Sequence, residues 1–203
     1  MLIRRSPSRE HDESKKSSDN AVRRARHRYE RPKRLQHQDK IQSQAKLYEQ
    51  IQADMLQMHN YYRALHSASP LTISQRLNYI AQRYAEYLAA TGKFEHSGNR
   101  LENETIGENL YMQWISEGRV PVNARQAAKS WYDEIQMYNY KRPVYSEDTG
   151  HFTQLVWRSS KRLGVGVALS KDGREVYIVT NYYPAGNIVN QGYFERNVLP
   201  PTK

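Results

Sequence analysis

The sequence predicts an α+β fold in which amphipathic helices pack on a small antiparallel sheet, and two observations carry the prediction. Apolar residues recur at steps of three and four in separate upstream stretches, the period of a helix buried on one face. Between Gly150 and Asn187 the period changes from helical to alternating: Leu163-Gly164-Val165-Gly166-Val167-Ala168-Leu169 is followed by Glu175-Val176-Tyr177-Ile178-Val179-Thr180-Asn181-Tyr182, which reads as a hairpin.

Residues 1–40 are rich in Ser, Arg, Lys, Asp and His and poor in aliphatic side chains. They cannot bury enough apolar area to offset the entropy of ordering, so a disordered basic tail is expected, with the domain spanning 41–203. Ala21 to Tyr29 could form a transient basic helix, which Pro32 interrupts. From Ile41 to Ser67 the stripe Ile41, Ala45, Tyr48, Ile51, Met55, Met58, Tyr62, Leu65 predicts the first helix of the domain. His59 on that helix reads as a structural histidine, and Arg63 near its end is favoured by the helix dipole.

Pro70-Leu71 breaks the chain, and Ser74 is placed to cap a second helix that stops at Gly92. Phe94 to Asn99 is expected as a loop, and Gly107 to Met112 as a short strand whose glycine suggests that another backbone or a ligand approaches closely. Val120-Pro121 is expected to open a third helix with Ala124, Ala127, Ala128, Trp131, Ile135 and Tyr138 buried and Glu134 at the stripe's border. A short helix then feeds the hairpin, whose turn Lys171-Asp172-Gly173-Arg174 suggests positive φ at both central positions. Gly164 and Gly166 leave one strand face nearly bare, which permits close approach by a helix or by the neighbouring strand. The chain after Pro184 is expected to wrap the domain irregularly.

The 203 residues include no cysteine, which excludes disulfides and thiolate metal sites. The formal charge of +10 is uneven: residues 1–46 hold 14 Lys or Arg against 6 Asp or Glu, while the remainder is nearly neutral. The tail therefore carries the electrostatic field. No run of 18 apolar residues occurs, and Met1-Leu2-Ile3-Arg4-Arg5 passes directly into charge, unlike a signal peptide.

Four ordered motifs then bear on identity. Gly150-His151-Phe152-Thr153-Gln154-Leu155-Val156-Trp157 and the stretch Tyr177 to Asn187 resemble the two signatures of the CAP superfamily (cysteine-rich secretory proteins, antigen 5, pathogenesis-related 1). His59-Asn60-Tyr61-Tyr62-Arg63 and Gly107-Glu108-Asn109-Leu110 fall in the expected order. The resemblance covers roughly Gln44 to Pro201. Lacking cysteine and carrying Gly192-Tyr193-Phe194-Glu195-Arg196-Asn197-Val198-Leu199-Pro200-Pro201 near its end, the chain is most similar to the Golgi-associated plant pathogenesis-related branch. The resemblance implies a three-layer α-β-α sandwich, self-association as a homodimer, and a cavity tetrad carried here by His96, Glu108, Glu134 and His151.

Separations of 12, 26 and 17 residues are no local metal motif, so only the resemblance brings the four together. Converged, His96 and His151 would suit Zn²⁺ or another divalent ion as ligands, with the glutamates orienting rings or water. A hydrogen-bonded polar cluster without metal is the competing reading. The functional expectation is a non-enzymatic binding module that associates with anionic lipid membranes through its tail. Two alternatives stay open: a metal-dependent or serine-type hydrolase, with Ser97 beside His96 but no Gly-x-Ser-x-Gly elbow, and nucleic-acid binding by the basic tail. The absence of cysteine and of a leader favours the cytosolic face of intracellular membranes, with the extracellular location of most of the superfamily as the alternative.

Overall fold

The computed structural model of the protein describes residues 33–202. The segment before Lys33, with the transient helix expected at Ala21 to Tyr29, lies outside the described residues. The chain divides into two units, Met1–Lys46 and Leu47–Lys203.

Helix α1 runs Lys33–Leu65, so it starts earlier than the apolar stripe suggests. Residues 33–40 contain no Gly or Pro, so propensity favours extending the helix back although Leu35 and Ile41 are exposed. Burial begins at Tyr48. From there Ile51, Met55, His59, Tyr62 and Arg63 form the covered face, with Met58 and Leu65 half-buried at its border.

Strand β1 (Thr72–Ile73) leads into α2 (Gln75–Thr91). Ser74 caps α2 by accepting from the Leu77 N–H, and Gly92 ends it at φ +68° while donating to the Leu88 carbonyl. A small ladder of β2 (Arg100–Leu101) and β3 (Glu104–Thr105) precedes β4 (Gly107–Trp114). Helix α3 is Ala124–Asp133. Pro121 does not open it as expected, because Asn123 supplies the cap through a 3.0 Å bond from the Gln126 N–H, and Val120 instead donates to the Gly173 carbonyl. After Asp133 the helix tightens into a 3₁₀ turn, Glu134–Met137, which leaves Ile135 only half-buried.

Helix α4 (Gly150–Val156), β5 (Arg162–Leu169) and β6 (Glu175–Tyr183) follow as the period change indicates. The connecting turn differs from the expectation: Gly173 has φ +74° but Asp172 is not left-handed. Asp172 instead accepts from Ser170 Oγ and from the Arg174 N–H, fixing a longer loop with a single left-handed residue. The C-terminal segment is also more regular than expected. It contains α5 (Tyr193–Asn197), ordered by Phe194, which packs edge-on to the buried Trp157 at 5.1 Å between centroids.

The sheet order is β1-β5-β6-β4, parallel between β1 and β5 and antiparallel elsewhere. Alternation along β5 and β6 sorts two cores. One face turns Val165, Ile178 and Tyr182 toward Ile51 and Met55 of α1, Trp131 of α3 and Phe152 of α4. The opposite face sets Tyr177 and Val179 of β6 and Leu110 of β4 against Ala81, Ala85 and Leu88 of α2. This is the three-layer arrangement. Cβ atoms built on Gly164 and Gly166 would lie 2.3 Å and 2.2 Å from α2 backbone carbons, so the bare face admits the helix itself. Two amide side chains of α2 stitch the layers: Asn78 Oδ1 accepts from the Val165 N–H, and Gln82 exchanges bonds with both backbone groups of Val167.

Candidate functional site

The site lies at the start of β4, an edge strand whose two faces belong to different layers. Glu108 pairs in register with Asn181, and Asn109 with Thr180. Successive residues point to opposite faces, so Glu108 turns toward the α2 side and Asn109 toward α4. Gly107 lets this happen: a Cβ there would meet Gln154 Oε1 at 2.0 Å, so its close neighbour is a buried side chain of α4 and not the backbone or ligand expected from the sequence.

His96 reaches the site from the loop after α2. Its Nδ1 lies 2.8 Å from Glu108 Oε1. The same carboxylate accepts from the Ser97 N–H at 2.9 Å, Ser97 Oγ at 2.5 Å and Asn181 Nδ2 at 3.4 Å. Burial would raise the Glu108 pKa, but these donors outweigh it and hold the carboxyl below its usual range. The bond to Glu108 in turn raises His96, against a smaller lowering from burial.

His151 is presented by the first turn of α4. Its Nδ1 lies 2.6 Å from Glu134 Oε1, and Glu134 Oε2 accepts from the backbone N–H groups of both His151 and Phe152 at 3.0 Å. Glu134 thus serves the N-terminal turn of α4 and orients the imidazole with one side chain. Trp131 stacks on the His151 ring at 6.2 Å and 18°, and its Nε1 donates to the Leu110 carbonyl.

His96, Glu108 and His151 line one cavity of about 440 Å³ with Asn109, Tyr145 and Asn187. Glu134 does not line it and stands behind His151. Each histidine is engaged through Nδ1, and neither Nε2 has a hydrogen-bond partner among the described residues. No group of three His, Asp or Glu side chains among the described residues converges as a metal cage. Ser97 Oγ is committed to Glu108, and among the described residues no serine hydroxyl is bonded to an imidazole.

Beneath the cavity lies a buried polar chain that motif reading missed. His59, read from the sequence as structural, is fully buried; its Nδ1 donates to the Met55 carbonyl at 2.8 Å, and its Nε2 accepts from the Tyr182 hydroxyl at 2.7 Å. That hydroxyl accepts from Asn109 Nδ2 and Thr180 Oγ1, both at 3.1 Å. Asn109 Nδ2 also donates to the His151 carbonyl, which ties the chain to the cavity wall. Burial pushes His59 down to about 4, so it is neutral and acts as a fixed acceptor. The signal was local: His59 and Tyr182 stand on stretches already marked as motifs, but nothing in the spacing pairs them.

Residues 56–182 match the family described as the cysteine-rich secretory protein family, CAP. The chain belongs to the CAP family. Among its relatives, the human Golgi-associated plant pathogenesis-related protein 1 is 42% identical over 154 residues, covering 76% of this chain and 96% of that protein. Protein PRY2 of Saccharomyces cerevisiae is 37% identical over 147 residues, which is 72% of this chain and 40% of PRY2. Two solved structures share the CAP fold: BmVAL-1, with a TM-score of 0.58 at 24% identity over 76% of this chain and 85% of that one, and NaASP2 with Zn²⁺, with 0.54 at 23% over 74% and 85%. No helix among the described residues is long and apolar enough to cross a membrane.

Proposed function

We propose that this CAP domain is a non-catalytic binding module whose cavity takes a divalent metal ion, zinc first, through Nε2 of His96 and of His151. The observation that carries the reading is the pairing of each Nδ1 with a carboxylate while both Nε2 atoms stay without a partner among the described residues. A carboxylate behind an imidazole fixes the tautomer with the lone pair on Nε2 and raises its basicity toward a metal. Two protein ligands leave the remaining positions to water or to a ligand's oxygen, so such an ion is held less tightly than in a three- or four-ligand site. NaASP2, which shares the fold, was solved with Zn²⁺. Titration calorimetry with zinc tests the reading. One ion per chain is expected, with uptake lost in His96→Ala and in His151→Ala; unchanged uptake in both variants would overturn it.

The basic N-terminal segment favours a second property, attachment to anionic lipid, in keeping with a human relative named for its association with the Golgi. Each Lys or Arg near such a surface contributes on the order of 1 kcal/mol, so a few of the fourteen suffice for reversible docking. Replacing Arg23, Arg24, Arg26 and Arg28 by Gln is expected to reduce co-sedimentation with phosphatidylserine vesicles, and raised salt to do the same. Full binding under both conditions would remove this property.

A further inference from the structure

A second hollow, of about 580 Å³, shares no lining residue with the His/Glu cavity. It lies between the turn after α4 and helix α5, and Ser69, Arg158, Ser159, Lys161, Tyr193 and Arg196 form its walls. No acidic side chain lines it, and none of its three cations makes an ion pair among the described residues.

The cations are held in place by backbone. Arg158 donates from Nη1 to the Arg196 carbonyl at 3.4 Å, and Lys161 Nζ donates to the Arg158 carbonyl at 3.3 Å. The Arg196 guanidinium lies over the Tyr193 ring, with its Cζ 5.0 Å from the ring centroid, a cation–π contact. Asn197 ties the floor together: its Oδ1 accepts from the N–H and the hydroxyl of Ser159, and its Nδ2 donates to the Tyr193 carbonyl.

A fourth positive charge sits behind this floor. Arg63 is fully buried and makes no ion pair with a carboxylate among the described residues; its guanidinium donates to the carbonyls of Ser69, Leu155, Trp157 and Ser160. Burial lowers it to about 10, which leaves it charged at neutral pH. Its field is screened less than that of a surface cation, and Ser69, which it grips, is part of the wall. Like charges gathered in one concavity repel, and an anion bound there relieves the repulsion. Two planar guanidinium forks beside a point-like ammonium suit a tetrahedral oxyanion carrying more than one negative charge.

We propose that this hollow binds the phosphoryl group of a phosphorylated small molecule or lipid headgroup. The volume beyond one phosphoryl group accommodates the polyol or sugar that carries it. This assignment is independent of the metal reading, since none of its residues belongs to the His/Glu cavity.

The test is an amide-resolved NMR titration of the full chain with inositol trisphosphate, beside sedimentation with phosphatidylcholine vesicles with and without phosphatidylinositol bisphosphate. Saturable shifts at residues 158–161 and 193–197 are expected. Arg158→Gln/Lys161→Gln/Arg196→Gln, all exposed positions, should weaken binding at least about tenfold, the effect of losing one charge-assisted bond. Lys93→Gln/Arg119→Gln/Lys171→Gln, which removes the same net charge elsewhere, should change it little, and zinc uptake should be unaffected in either variant. Binding to the bisphosphate vesicles assigns a lipid source; binding of the soluble probe alone assigns a free phosphorylated ligand. Shifts confined to residues 1–46, equal weakening in the two variants, or no saturable shift would each overturn the proposal.

Discussion

Gly166→Ala tests the packing on which the layered fold depends. A Cβ at this position would lie 2.2 Å from the Ala81 carbonyl carbon and 2.3 Å from both the Ala81 oxygen and the Gln82 nitrogen. All three are backbone atoms of α2, so no side chain can swing aside, and the helix must retreat by over an ångström to reach ordinary contact. Overpacking of this kind costs about 1–3 kcal/mol. Retreat also stretches three bonds, two between Gln82 and Val167 and one from Val165 to Asn78, and weakening them without full loss costs about 2 kcal/mol in all. The expected loss is about 3–5 kcal/mol, a large part of the ~5–15 kcal/mol that holds a typical domain. In urea unfolding with a slope of about 2 kcal/mol/M this moves the midpoint down by about 2 M. A loss below about 1 kcal/mol would refute the argument that α2 rests on the strand backbone.

Acid should unfold the domain partly through His59: its folded pKa of about 4 lies below the ordinary 6.5, so the unfolded chain binds more protons and stability falls as pH drops through that window. The full effect is about 3 kcal/mol, and an NMR titration that protonates His59 above pH 6 in the folded state would contradict it. Tyr182→Phe removes the hydroxyl shared by His59, Asn109 and Thr180 and should cost about 1–3 kcal/mol by thermal melting, with no cost if water replaces it. Zinc competes with a proton that His96 holds more tightly than a free imidazole does, so zinc affinity should fall as pH drops through the range just above 6.5; calorimetry showing no pH dependence would exclude His96 as a ligand. The stability of the His96–Glu108 pair is bounded on both sides, because the stabilisation from His96 is lost as pH rises through its raised pKa and that from Glu108 as pH falls through its lowered one.

The fold was legible where residue spacing alone determines contact. The glycine alternation on β5 announced a close approach by a helix or a strand, and Ser74 and Gly92 announced the ends of α2, because each acts locally, Ser74 through its hydroxyl and Gly92 through its left-handed backbone. Pro121 misled, since a proline suited to a first turn does not compete with an asparagine cap two residues later. The hairpin turn misled for a related reason: Asp172 uses its carboxylate for local bonds that relieve it of a left-handed backbone. At the cavity, residue types and motif resemblance pointed to the tetrad, but the division of labour was not readable. That Glu134 stands behind His151 while Glu108 lines the wall depends on where α3 tightens into 3₁₀ geometry. Arg63 shows the same limit. A dipole argument places a cation at a helix end, whereas the four carbonyls it gathers come from segments distant in sequence.

The pairing of β4 with β6 has a consequence for how this chain can vary. Glu108 and Asn109 serve opposite layers only because each is matched to its own partner across the ladder. Sliding that strand by one position would exchange the carboxylate and the amide between the two sides. Of the changes open to this part of the chain, one residue added or removed inside β4 just after Asn109 would therefore do more harm than many replacements, since it would rewrite the polarity of both compartments in a single step.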